Sequence, residues 1–421
     1  MSKWKGIANT AATAVCLAAL ALPARAETLT FVSWMKGEPG YGDWWNEVIA
    51  KFESEHPGVE VEMTKVERST YADTMFTMFA GGSPPDIVHL AAFEYQPFAD
   101  EGWLEDLGPW IERAGLDLNG WAGQETCEWK GQTYCLMLLY TAYIFAYNEQ
   151  ALNEAGVENL PSDWESFLDA ARKATRDTDG DGVTDVYGLG LDTTGGTNMM
   201  HDMLHFVLDA GGAWTVDGEP AFDSPAVVEA LTRWKTLVDE KLTPRDTPSG
   251  DLRQLMVEGR LAMRLDGPWI YNILKGAEPE IAENLKLAPS PFSPPVGGTS
   301  NVIGMPAELA PEKKELVWEF IATVASAEMQ QRFAQLGSSP APRPGLDYTK
   351  EIETIPYFEL FAQANDAAAA AGVDRLPKGL EIEFNEVAKV VHREVQGMLI
   401  EDRDPAETGQ AIQTAVEAIL Q

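Results

Sequence analysis

Positive charge, cysteine and histidine are all scarce in this chain of 421 residues, which has 31 Lys+Arg against 66 Asp+Glu, 3 Cys and 5 His. The shortage of Lys and Arg argues against nucleic acid as a partner, because phosphate backbones are held by basic surfaces. Long apolar runs are missing too. After the first 26 residues no segment reaches the roughly 20 apolar residues that a membrane-spanning helix requires. The Gly-x-Ser-x-Gly elbow, the phosphate-binding loop, the dinucleotide fingerprint and the His-Glu-x-x-His helix are likewise absent, which removes the commonest motif-bearing enzyme classes. A secreted glycoside hydrolase is the enzyme that remains in view, since 66 acids could conceal its paired carboxylates.

The opening residues are of a different kind. Lys3 and Lys5 precede an apolar stretch from about Ile7 to Leu22, and Ala24-Arg25-Ala26 follows. This pattern predicts a secretory signal peptide over 1–26, cleaved after Ala26, and hence a periplasmic protein. Thr13-Ala14-Val15 before Cys16 departs from the Leu-small-small pattern of lipoprotein processing. Lys3, Lys5 and Arg25 leave with the leader, so the mature chain carries 28 basic and 66 acidic residues, a net charge of −38. Such acidity favours solubility in an exposed compartment. About 395 residues exceed one ordinary core and predict two lobes. In an oxidising compartment Cys127 and Cys135, the remaining cysteines, predict a disulfide, with Lys130-Gly131 as the turn of the hairpin between them.

Strand-like runs at Thr28–Trp34, Val59–Val66 and Pro85–Val88 alternate with helical stripes such as Trp45, Val48, Ile49 and Phe52, giving βαβ units. Ser162 with Glu165 predicts a capping box, Ser224-Pro225 a helix start, and Pro311 a long helix ending at Gly337. Asp177-Thr178-Asp179-Gly180-Asp181-Gly182-Val183-Thr184-Asp185 places acids at positions 1, 3, 5 and 9 of an EF-hand-like loop, with glycine at 6. Position 12 is Gly188 instead of glutamate. Asp177, Asp179, Asp181 and Asp185 are therefore candidate ligands of a structural calcium, no cofactor otherwise being expected. One loop without repeats speaks against a calcium-dependent adhesive protein. His201 and His205 have zinc-compatible spacing but no third ligand.

Several stretches together resemble the extracellular solute-binding proteins of carbohydrate importers, the group that includes maltose-binding protein. They are Phe52–Val59, Pro84–Val88, Tyr147-Asn148-Glu149, Trp164-Glu165, Gly211-Gly212, Glu258–Met263 and Asp266-Gly267-Pro268-Trp269, in order across about 390 residues. The resemblance implies an α/β fold of the periplasmic-binding-protein type, two lobes joined by three crossover segments around an interlobe cleft. It places the lobes at 27–139 plus 293–340 and at 140–292 plus 341–421. It implies a non-enzymatic, monomeric protein that captures a sugar or oligosaccharide and hands it to the permease of an ABC importer. A polyamine or a phosphorylated polyol is the alternative ligand.

Sugar recognition takes flat apolar faces and polar side chains that replace water at hydroxyls. Trp269, after the strand and the Asp266-Gly267 turn, is the leading candidate by the resemblance, at a helix N-terminus whose free amides could bind an oxygen; Asp266 is a cleft residue or only its cap. The matching segment Pro85–Tyr95 places Phe93 and Glu94 at the ligand, with Leu90 where the family has an aromatic. Trp34, Glu38 and Tyr41 lie in a loop at the carboxyl end of the first strand, where ligands of open α/β sheets bind. Trp44 is expected to face the cleft while Trp45 joins the core. Tyr140 and Thr141 fall at the first crossing, His201 on the second lobe, and Thr299 and Ser300 near the second crossing.

Overall fold

The computed structural model describes Met1 and residues 27–421; the expected leader and Cys16 lie outside the described residues. The strand Glu27–Val32 buries Leu29 and Phe31, and the helix Tyr41–Glu55 returns the chain to a parallel partner, Val59–Thr64, in register from Glu27↔Val59 to Val32↔Thr64. A parallel bridge between Phe31 and Ile87 continues this sheet to Val88–Ala91, whose four residues are all buried. Thr299–Gly304 then pairs antiparallel with Val88–Ala91 on one side and Leu136–Tyr140 on the other. A strand late in the sequence thus sits between two early ones, and the first lobe is discontinuous in the chain.

The second lobe centres on Ile144–Asn148, flanked antiparallel by Met263–Asp266 and Leu285–Ala288. The chain passes between lobes at 141–143, at 289–298, and between the helices Ala327–Gly337 and Phe358–Ala370. Phe361 of the last helix packs with Ile144 and Leu287. The expected boundary at 340/341 falls within this third connection. Pro342 still accepts a hydrogen bond from the Ala122 amide (2.9 Å) and Arg343 donates to the Ala325 carbonyl (2.8 Å), both in the first lobe.

Local expectations differ from the structure at two helix starts. The cap of Trp164–Ala174 is Asp163, in a box with Ser166, one residue after the expected Ser162. Both are good N-caps, and Asp163 has the extended backbone that lets its carboxylate reach the Ser166 amide at 2.8 Å. The long helix after Pro311 is two, because Ser326 turns extended and caps the second by accepting from the Met329 amide. The hairpin Glu128–Trp129/Gln132–Thr133 turns through Lys130 and Gly131, both at positive φ (49° and 81°), and Cys127 and Cys135 are disulfide-bonded across its base with Cα atoms 5.1 Å apart. No helix among the described residues is long and apolar enough to cross a membrane.

Candidate functional site

The first wall of the interlobe cleft starts where the first strand ends. Ser33 Oγ accepts from the Met35 amide (3.1 Å) and lies 2.9 Å from His89 Nδ1, which curls the chain into the short turn Trp34–Gly37. Trp34 stacks on His89 (4.1 Å, 24°) and meets Tyr71 edge-on, while the Arg68 guanidinium lies over it at 5.1 Å. These contacts leave the indole only 6% exposed. Burial, reinforced by Arg68, pushes His89 down to about 3, so it is neutral. Arg68 also lies over Phe93 at 5.8 Å and donates to Glu94 Oε1 at 2.6 Å. The other oxygen of Glu94 is buried without a protein partner.

The opposite wall is organised by Asp266, at the end of Met263–Asp266. Its carboxylate accepts from Arg253 Nε and a terminal nitrogen (2.7 and 2.9 Å), Arg264 Nε (2.8 Å), Trp269 Nε1 (2.6 Å) and the Gly267 amide (2.9 Å). Burial raises its pKa, but Arg253 and Arg264 outweigh burial and hold the carboxyl well below the usual range. Asp266 therefore lies behind the wall and fixes residues that face the ligand space. Trp269 folds back over Gly267, where a Cβ would meet its ring at 2.3 Å. The ring is half-buried, perpendicular to Tyr143 (5.9 Å, 89°) and covered by Arg253 at 5.5 Å. Three of the amides at this turn are engaged: Gly267 N–H binds Asp266, Ile270 N–H binds the Gly267 carbonyl and Tyr271 N–H the Pro268 carbonyl.

The helix Gly196–Asp209 brings His201 and Asp202 to the same space. His201 meets Phe93 edge-on (4.6 Å, 78°) from the other lobe, its Nε2 is buried without a partner, and burial followed by Arg375 drives its pKa well below normal. Burial raises Asp202 to about 7. Asp192 is saturated, with one oxygen on the Ser249 amide and hydroxyl and the other on those of Thr194. Arg375 lies over Phe93 (5.8 Å) and Tyr143 (5.4 Å).

The enclosed volume is about 730 Å³, within the range of small-molecule sites. Of the residues expected at the ligand, Trp34, Glu38, Tyr41, Phe93 and Glu94 line it from the first lobe, joined by Ser300; His201 and Trp269 line it from the second. Burial raises the pKa of Glu38, against the opposing field of Arg253, and burial likewise raises Tyr41, whose hydroxyl has no partner. Trp44 does not face the cleft. It is fully buried against Trp45 and Phe333, and its indole N–H donates to the Met329 carbonyl at 2.7 Å. Tyr140 and Thr141 serve the first crossing instead of the lining: the Tyr140 carbonyl accepts from Asn365, and the amide of the buried Thr141 donates to the Gly298 carbonyl. Thr299 sits in the ladder opposite Tyr140. Arg68, Arg253, Arg375, Asp202 and Asn301 line the cleft without having been singled out from the sequence. Arg68 opens the helix Arg68–Ala80 after the strand Val59–Thr64, a usual place for ligand-facing residues in open sheets.

Away from the cleft, the loop after Ala174 gathers carboxylate oxygens of Asp177, Asp179 and Asp185 within 4.8 Å of one another. Asp181 is outside that group and accepts from the Val183 amide. Asp177 accepts from the Gly180 and Gly182 amides.

The model of the bacterial extracellular solute-binding protein family matches residues 36–331. A relative in Brucella abortus (strain 2308) is 24% identical over 314 residues, 70% of this chain and 71% of its own. The structure of maltose-bound MalE3 from T. maritima superposes with a TM-score of 0.80 at 21% identity, over 94% of this chain and 100% of that one. A solute-binding protein of Thermotoga lettingae bound with α-D-tagatose gives 0.78 at 24% identity, over 94% and 100%.

Proposed function

Because this chain belongs to the bacterial extracellular solute-binding proteins, we propose that it is the substrate-binding component of an ABC importer, that it works in the periplasm as a monomer, and that its cleft takes a sugar or oligosaccharide without chemical change. The observation that carries the carbohydrate reading is the set of buried polar atoms left without partners around one cleft: Glu94 Oε2, the Tyr41 hydroxyl and His201 Nε2. Buried polar groups of this kind cost about 1–3 kcal/mol each unless a partner arrives, and hydroxyls of a sugar can supply it. Trp269, Phe93 and Tyr143 add ring surface beside them. Superposition on proteins that hold maltose and tagatose supports the same class. A polyamine fits poorly beside Arg68, Arg253 and Arg375.

A thermal-shift screen of neutral and acidic sugars, polyols, polyamines and glycerol phosphates tests this. A cognate ligand at about 100 times its dissociation constant adds roughly 2.7 kcal/mol of stability. Stabilisation by polyamines alone would overturn the carbohydrate reading.

The Asp177 loop is proposed to hold one structural calcium through Asp177, Asp179 and Asp185, supported by the convergence of their oxygens. Bound there, the ion would tie the loop to the strand-like bridge Arg176↔Val186 and so to the second lobe.

A further inference from the structure

The lobes touch directly at two places beside the cleft, and where they touch no ligand can pass between them. At the first, Phe93, in the turn after Val88–Ala91 of the first lobe, reaches across to the second. Its ring meets His201 edge-on (4.6 Å, 78°) and Phe384 at 6.2 Å and 85°. These partners stand on two different helices, Gly196–Asp209 and Phe384–Glu401. Centroids 4.6 Å apart lie at the close end of the range for paired aromatic rings, so no sugar ring fits between Phe93 and His201. Phe93 is 5% exposed and the Arg68 guanidinium lies over it at 5.8 Å, which holds the ring in place.

At the second place Gly40 of the first lobe lies against Asn272 of the second. Asn272 Nδ2 donates to the Leu336 carbonyl across the lobe boundary at 2.8 Å. A Cβ on Gly40 would stand 2.6 Å from that nitrogen and 2.2 Å from the carbonyl oxygen, so glycine is what admits this approach. Buried polar atoms without protein partners lie next to both contacts. Glu94 Oε2 and His201 Nε2 belong to the first, at Phe93. The Tyr41 hydroxyl belongs to the second, on a ring that packs against Gly337 next to Leu336. A ligand that supplies partners to both sets reaches each contact and ends there. The enclosed volume of about 730 Å³ lies within the range that holds one small molecule.

We propose that Phe93 and His201 form a stop that restricts the cleft to saccharides of one or two rings, with a terminal hydroxyl held against Glu94 and His201 where a longer chain would continue through a glycosidic bond. This rests on the carbohydrate reading above and adds the length of the ligand to it. Two effects enforce the limit. A further ring has to part Phe93 from His201 and so force the lobes open. It also places a glycosidic oxygen where the buried oxygen of Glu94 needs a donor, and an ether oxygen has no proton to give, whereas a hydroxyl has.

The test is calorimetric titration of the mature protein with ladders running from one ring to four: glucose to maltotetraose, glucose to cellotetraose, xylose to xylotetraose, and N-acetylglucosamine to its tetramer. In a ladder that binds, affinity should be highest at one or two rings and fall about ten-fold or more at three, the cost of overfilling a packed site. Phe93→Ala should raise the ratio of three-ring to two-ring affinity by about ten-fold. The milder Phe93→Leu should move that ratio in the same direction, with melting curves confirming a folded protein. Were Phe93 only a structural contact between the lobes, both variants would weaken every length alike and leave the ratio intact, which would overturn the proposal. Affinity that holds or rises from two rings to four would also overturn it while the carbohydrate reading stands. Binding of no member of any ladder would remove both.

Discussion

Replacing Asp266 by asparagine is the most informative single change in the cleft wall. The carboxylate collects five hydrogen bonds, two from Arg253 and one each from Arg264, Trp269 and the Gly267 amide. Asparagine keeps one acceptor oxygen and turns an amide N–H₂ toward donors, so at least two donors lose their partner. It also removes the counter-charge of two guanidinium groups, one of which, Arg264, is 2% exposed. Breaking a buried ion pair from one side costs about 3–5 kcal/mol. Urea unfolding of Asp266→Asn followed by tryptophan fluorescence should show a loss of that order near neutral pH. The folded pKa of Asp266 lies below its unfolded value of about 3.9, so its contribution is present above that pH and fades as pH falls through the folded value. The difference between wild type and variant should accordingly narrow in strong acid. A loss below about 1 kcal/mol, against the 3–5 expected for a broken buried pair, or a difference that does not narrow on acidification, would refute this account of Asp266.

Further outcomes follow from the same geometry. Trp269→Ala should keep the fold, because Asp266 retains four other donors, but weaken ligand binding by about 2–4 kcal/mol, seen by calorimetry; full affinity or unfolding would contradict it. Asp202, raised to about 7 by burial, contributes stability that is present below its unfolded pKa and lost as pH rises through 7. Asp202→Asn should therefore gain on wild type in denaturant midpoint as pH rises from about 5 to 8, and a gain on going down instead would contradict the shift. Reduction of Cys127–Cys135 should cost on the order of 2–3 kcal/mol; mass labelling of unreduced, denatured protein should find no free thiol. Titration of metal-free protein with calcium should give one site that raises the melting temperature, abolished in Asp177→Asn/Asp179→Asn, with no heat at millimolar calcium as the contrary result.

Elements set by local chemistry were readable in the sequence. The alternation at Leu29 and Phe31, the Lys130-Gly131 turn that only a positive φ allows, and the Gly-Pro-Trp turn at 267–269 each declare themselves within a few residues. What escaped depends on distant partners. Trp44 and Trp45 differ by one helix position, and only Met329 and Phe333, nearly 300 residues away, place Trp44 in the core. Arg68, Arg253 and Arg375 come from three separate segments and converge only when the lobes meet, so neither spacing nor composition announces them as cleft residues. The amides of Gly267, Ile270 and Tyr271 illustrate the same limit, because the helix Trp269–Leu274 opens with tight turns that consume donors a longer helix would leave free.

The most direct test of the central claim, capture of a sugar between two lobes without chemistry, is calorimetric titration of the mature protein with the best hit of the screen, followed by recovery of that ligand. The account predicts one ligand per chain, binding weakened by Trp269→Ala, and chemically unchanged ligand after prolonged incubation. Appearance of new reducing ends, or binding that is indifferent to Trp269→Ala, would contradict it.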